Sequence, residues 1–213
     1  AVDNLGNVYV TGESYYLSDD YLTIKYNSQG TKLWQKRYGG PGQDIALAIA
    51  LDENRNVYVT GKEMTGGNLN CVTLKYSSGG TLLWEKSYDG PSGNYDMGTE
   101  IAVAADGSIF VAGSTESPAN GYDYLLIQYN SSGTEQWVRT FDGPAHGSDV
   151  VRKMVLGYNN SIFLTGYSDG TGTDNDYLTV RYNAAGFIQW SKRYNGPVNG
   201  DDRAVSLAVD DIG

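Results

Sequence analysis

An all-β fold, a β-propeller of four-stranded antiparallel blades, is predicted by three observations on this 213-residue chain. The four tryptophans, Trp34, Trp84, Trp137 and Trp190, are spaced 50, 53 and 53 residues apart, and each is followed seven residues later by the proline of a Gly-Pro pair. The same period carries NVYVTG, NVYVTG, SIFVAG and SIFLTG, then DYLTIKYNSQG, NCVTLKYSSGG, DYLLIQYNSSG and DYLTVRYNAAG. No window shows a capped apolar stripe of helical period, so helix should be nearly absent. A unit of four short strands repeated at about 50 residues is the signature of propeller blades. A stacked β-helix, the competing architecture, has a shorter repeat and lacks tight hairpins.

The repeats run over about 1–43, 44–95, 96–148 and 149–201, with a terminal strand at 202–213. In each unit the first strand, DIALAIALD from Asp44 in the second, is apolar and alanine-rich without alternation, as suits a strand buried on both faces. The second is β-branched and aromatic and stops at Gly12, Gly61, Gly113 or Gly166. The third alternates: Leu22, Ile24 and Tyr26 point one way, Tyr21, Thr23 and Lys25 the other. The fourth, KLWQKRY, puts Trp34, Lys36 and Tyr38 on one face and suits an outer position. AVDDIG at the C-terminus repeats the AVDNLG that opens the chain, so the last strand is expected to complete the first blade. Done within the chain, this seals a four-bladed ring; done in a neighbour, it builds a homo-oligomer or filament by terminal strand exchange. The missing initiator Met also fits a segment cut from a longer array.

Spacing separates fixed turns from variable ones. Aspartate to glycine in the first hairpin is always 17 residues, and tyrosine to tryptophan is always 8. Glycine to tyrosine runs 14, 15, 16 and 16, and proline to aspartate 3, 5, 5 and 5. In an up-and-down sheet both variable connections fall on one face, which is therefore the expected binding surface. Its candidate ligand residues are Tyr15, Tyr16, Tyr122, Tyr167 and Asp169. Glu100 and Lys153, at the fifth position of the innermost strand, are expected to pair across the central channel or to line a small polar site.

Other motifs read more plainly. The periodic Trp34, Trp84, Trp137 and Trp190, with Gly12, Gly61, Gly113 and Gly166, are structural repeat residues packed between blades. Asp52, Asn54 and Asn56, and the oxygen-rich stretch 169–176, resemble the opening of a calcium loop but lack its glycine and distal glutamate, so hairpin-turn chemistry is favoured and Ca²⁺ is the minor alternative. His146 is the only histidine and no G-x-S-x-G elbow occurs, which disfavours a serine triad. Cys71, the only cysteine, takes a slot held elsewhere by tyrosine. Asn130-Ser-Ser and Asn159-Asn-Ser match the short glycosylation acceptor pattern. The net charge of −10 without a Lys/Arg cluster disfavours nucleic acid, and no apolar run nears the roughly 20 residues that span a bilayer.

AVDNLGNVYVTGES, DYLTIKYNSQGTKLWQKRYGGP and the IALD strand together resemble the bacterial seven-bladed β-propeller (SBBP) repeat family over the whole chain. The resemblance implies a secreted or cell-surface bacterial protein, large and modular, with a scaffold or binding role and no catalytic residues; the four units here compare with seven in the family name. NSQGTKLWQKRYGG also looks like the repeats of quinone-cofactor propellers, but no acidic and basic ligand set accompanies it, so no cofactor is expected. The function expected is that of an extracellular structural or adhesive module, not an enzyme, binding protein or carbohydrate through its variable-loop face. The alternatives are a self-assembling block of a surface fibre or larger ring, and a glycan-active enzyme, which needs paired carboxylates in a cleft.

Overall fold

The computed structural model describes residues 1–118 and 121–210 and contains four antiparallel sheets in chain order. The first blade holds β1 (Val8–Tyr15), β2 (Asp19–Tyr26) and β3 (Lys32–Tyr38). The second holds β4 (Ile45–Leu51), β5 (Val57–Thr65), β6 (Asn68–Tyr76) and β7 (Leu82–Tyr88). The third is β8 (Asp96–Val103), β9 (Ile109–Glu116), β10 (Tyr122–Tyr129) and β11 (Glu135–Phe141). The fourth is β12 (Asp149–Leu156), β13 (Ile162–Gly170), β14 (Thr173–Tyr182) and β15 (Ile188–Tyr194). Strand order within each sheet follows the chain, the up-and-down topology of a propeller blade. Helix among the described residues is limited to one 3₁₀ turn, Tyr158–Asn160.

Three apolar clusters join the blades. Tyr9 and Tyr21 of the first meet Val57, Val59, Val72 and Leu74 of the second. Tyr58 and Cys71 meet Ile109, Val111, Leu125 and Ile127 of the third. Phe110, Tyr124 and Leu126 meet Val151, Met154, Leu164 and Val180 of the fourth. Among the described residues no such cluster joins the fourth sheet to the first. Its signature is plain on β1, where Val10 is 50 % exposed while Val59, at the same place in the second blade, is fully buried.

The tryptophans lie across these junctions. Trp34 Nε1 donates to Ser78 O at 3.1 Å and Trp84 Nε1 to Ser131 O at 3.3 Å, each on a turn of the following blade. Lys25 and Lys75 donate to the same two carbonyls while standing over the rings of Tyr9 and Tyr58. Each innermost strand carries a β-bulge, between Ala46 and Ala48, Gly98 and Glu100, and Val151 and Lys153.

The expected completion of the first blade by the terminal strand is not what the structure shows. Among the described residues, only Ala1 and Val2 lie along the edge of β1 opposite β2, through Tyr9 N to Ala1 O at 2.9 Å and a Val2–Val8 bridge. The segment 202–210 forms no strand and runs beside the fourth blade instead; residues 211–213 of the expected strand lie outside the described residues. Local hydrogen bonds hold the start of the segment to the fourth blade. Asp202 N donates to Asn175 O at 2.6 Å, and Asp202 Oδ2 accepts Gly196 N at 2.6 Å. The same two bonds seat Asp44 against Asp19 O and Gly40 N, both at 2.7 Å, so the segment is anchored to the blade that precedes it.

Candidate functional site

The variable connections meet on one face. Crossover backbone bonds to the ends of the neighbouring hairpins: Leu69 N to Asn94 O at 2.7 Å, Glu116 N to Tyr95 O at 2.8 Å and Asp169 N to Ser148 O at 3.0 Å. Buried aspartates lock each crossover. Asp44 Oδ1 accepts Met64 N at 2.8 Å, and Asp96 and Asp149 accept the N–H of Gly90 and Gly143.

On this face, between the third and fourth blades, lies a cleft of about 340 Å³ lined by Tyr95, Met97, Ser114, Tyr122, Ser148, Val150, Arg152 and Tyr167. Tyr95 and Tyr122 pack edge to face with centroids 5.2 Å apart. Cations gather on these rings: Lys62 stands 5.6 Å from the Tyr95 centroid, and Arg152 and Arg203 stand 5.4 and 4.8 Å from that of Tyr167. Of these cations Arg152 lines the cleft itself, while Arg203 is ion-paired with Asp201 at 3.0 Å on the neighbouring polar cavity. Arg152 reaches the cleft because it is the bulged residue of β12, unpaired by β13.

Of the candidate ligand residues, the structure brings Tyr122 and Tyr167 together in this cleft. Asp169 lies next door: its Oδ2 accepts Ser148 N at 2.8 Å, and it lines a polar cavity of about 580 Å³ with Asp174, Asn175, Asp201 and Arg203. Tyr15, the last residue of β1, and Tyr16, on the loop after it, are 76 % and 73 % exposed, apart from the cleft. Lys153 Nζ and Glu100 Oε2 form an ion pair at 2.9 Å between β12 and β8. Asp52 is taken up by its own turn, accepting from Asn56 N, Asn56 Nδ2 and the Tyr58 hydroxyl. Cys71 is buried, and burial pushes its thiol up to about 12, which leaves it without nucleophilic character.

A second cluster was not singled out from sequence. Asp123 is the second residue of β10, Asp142 follows β11 and Asp149 opens β12, and one carboxylate oxygen from each lies within 4.8 Å of the others. Burial pushes the Asp123 carboxyl up to about 6, Asp142 and Asp149 push the same way, and His146 opposes them. Burial also raises Asp149. His146 Nδ1 lies 2.6 Å from Asp142 Oδ2, and this hydrogen bond raises the imidazole's affinity for its proton.

No family model matches the chain. An uncharacterised WD repeat-containing protein of Acanthamoeba polyphaga mimivirus is 22 % identical over 189 residues, covering 81 % of this chain and 11 % of that protein. The chain thus spans about a tenth of the length of that relative. The likeness and the four sheets agree on a propeller-like repeat fold. Among the described residues no helix is long and apolar enough to cross a membrane.

Proposed function

We propose that the chain is a non-enzymatic binding module whose cleft between the third and fourth blades takes an acidic peptide segment of a partner protein. The cations stacked on Tyr95 and Tyr167 carry this reading. Tyrosine and arginine are the side chains that supply most binding energy at interfaces, and a volume of about 340 Å³ sits within the usual range of ligand sites. Rigid sheets present the site while the loops around it vary, the division of labour expected of a recognition scaffold. A bacterial secreted or surface setting, as in the SBBP repeat proteins, completes the proposal.

Panning a displayed peptide library against the chain should enrich sequences rich in Asp and Glu, and Tyr122→Ala, Arg152→Ala and Tyr167→Ala should each abolish their binding. Enrichment that survives the triple variant would sink this assignment. A glycan array run in parallel tests the carbohydrate reading, which the exposed ring faces favour; glycan binding lost in the same variants would replace the peptide.

Self-assembly is a second reading, favoured by the half-interfaces on the outer blades. Val8 and Val10 stand exposed on the first, and Phe163, Trp190 and the segment 207–210 line an open cavity of about 330 Å³ on the fourth. These are the two halves of the junction that repeats inside the molecule. Sedimentation over a wide concentration range tests it: a constant monomer mass refutes assembly.

A further inference from the structure

We propose that Asp123, Asp142 and Asp149 form a site for a hard divalent cation of the calcium type at the crossover from the third blade to the fourth. Oxygens that share one such ion at about 2.3–2.6 Å stand no farther than about 5 Å apart, and one oxygen from each of the three carboxylates meets that condition, within 4.8 Å of the other two. Three strands bring them together: Asp123 is the second residue of β10, Asp142 follows the end of β11, and Asp149 opens β12 with its Oδ2 fixed by the Gly143 N–H at 2.6 Å.

An orphaned atom points to a ligand here. Asp123 is only 9 % exposed, and its Oδ1 has no hydrogen-bond partner among the described residues. A carboxylate oxygen withdrawn from water without a donor is costly, and a cation removes the cost.

Comparison of the four repeats supplies an independent argument. At the same place in the first blade Asp20 meets Arg37 at 2.8 Å, and in the fourth Asp176 meets Arg193 at 2.8 Å. In the second blade both positions are neutral, Asn70 and Ser87. Only the third keeps the acid and loses the guanidinium, because Thr140 stands where Arg37 and Arg193 do. Two further carboxylates then converge on the unneutralised one. The nearest cationic candidate is His146, exposed and engaged with Asp142. An all-oxygen donor set selects a calcium-like ion over zinc or copper, and the exposure of Asp142 leaves coordination positions to water.

Titration of the chain with CaCl₂ alone, with Mg²⁺ and Mn²⁺ in parallel runs, should reveal one site with a dissociation constant on the order of 10⁻⁴ to 10⁻³ M, as in calcium sites of extracellular modules. The unfolding midpoint should climb with Ca²⁺ concentration, since the ion binds the folded chain. Asp123→Asn and Asp142→Asn should each weaken binding about tenfold or more, because affinity follows ligand charge. Thr140→Arg restores the tethered cation of the sister blades and should fold well while abolishing the Ca²⁺ response. A titration without heat or midpoint shift for all three metals overturns the proposal, as does a Ca²⁺ response that survives both Thr140→Arg and Asp142→Asn. None of these readouts depends on the ligand of the tyrosine cleft.

Discussion

The indole of Trp84 lies against Gly133 of the following blade: a Cβ on that glycine would stand 2.9 Å from Trp84 Cδ2, and the indole N–H donates to Ser131 O across the same junction. Gly80 meets Trp34 and Gly186 meets Trp137 in the same way. Gly30, in the first blade, has the same positive φ and open space where a Cβ would go. The tryptophan period and the glycine of each NSQG-like turn are therefore two halves of one contact, made from one repeat to the next.

Gly30→Ala and Gly133→Ala separate backbone from packing. Both place a side chain at φ near +80°, at about 1–2 kcal/mol. Only Gly133→Ala also pushes into an indole, adding about 1–3 kcal/mol of overpacking. Denaturant unfolding of the pair should show that difference; equal losses would mean the Trp84 contact contributes nothing.

Trp84→Ala should cost about 3–5 kcal/mol, as for a large aromatic in a packed site. Trp190→Ala should cost visibly less, since Trp190 has the loose segment 207–210 beside it and no glycine turn above it. Chemical denaturation of both variants checks the order, and a Trp190 loss equal to that of Trp84 would refute it.

Asp44→Ala should destabilise by several kcal/mol. Its carboxylate satisfies the N–H groups of Gly40 and Met64 in a fully buried position, and each buried donor left unpaired costs about 1–3 kcal/mol. Exchange of the Met64 amide should accelerate sharply; unchanged protection would contradict the role assigned to Asp44.

The pH dependence follows from Asp123. Its folded-state pKa, about 6, exceeds the ordinary 3.8, so the folded chain binds the extra proton and stability falls as pH rises between those values. With chelator present, up to about 3 kcal/mol is lost across this window. His146, raised beside Asp142, acts in the same direction. Asp123→Asn should flatten the profile. Added Ca²⁺ should reverse the trend above pH 6, because a metal binds the deprotonated carboxylates. Thermal midpoints from pH 4 to 8 measure all three; a wild-type profile unaffected by Asp123→Asn would remove Asp123 as the titrating group.

The blades were legible because every strand is repeated and each repetition is a separate observation of the same pattern. Tyr122 and Tyr167 were legible as tyrosines in the stretches that vary in length, although the structure extends β10 and β13 to include them. Arg152 was not: the bulge between Val151 and Lys153 breaks the alternation from which the inward side of β12 is counted. Asp123, Asp142 and Asp149 escaped notice because each, taken alone, is an ordinary turn or strand-end residue, and only the three-dimensional return of β11 and β12 to β10 brings their charges together. The terminal segment misled for a different reason. Its likeness to the start of the chain fixes which role the strand can play but not which strand it pairs with: the bonds of Asp202 to Asn175 and Gly196 seat its start on the fourth blade as those of Asp44 seat β4 on the first, and β1 does not come alongside it.

Four blades held by three junctions behave as a one-dimensional lattice, in which each unit is stabilised only by its immediate neighbours. Among the described residues the second and third blades are clamped from both sides and the first and fourth from one. Heating or pulling should therefore peel the molecule from its extremities inward, with amides of β2 and β14 exchanging before those of β6 and β10. The cleft and the carboxylate cluster, set between the third and fourth blades, sit on the last junction before one of those fraying ends, where anything that binds also acts as a latch.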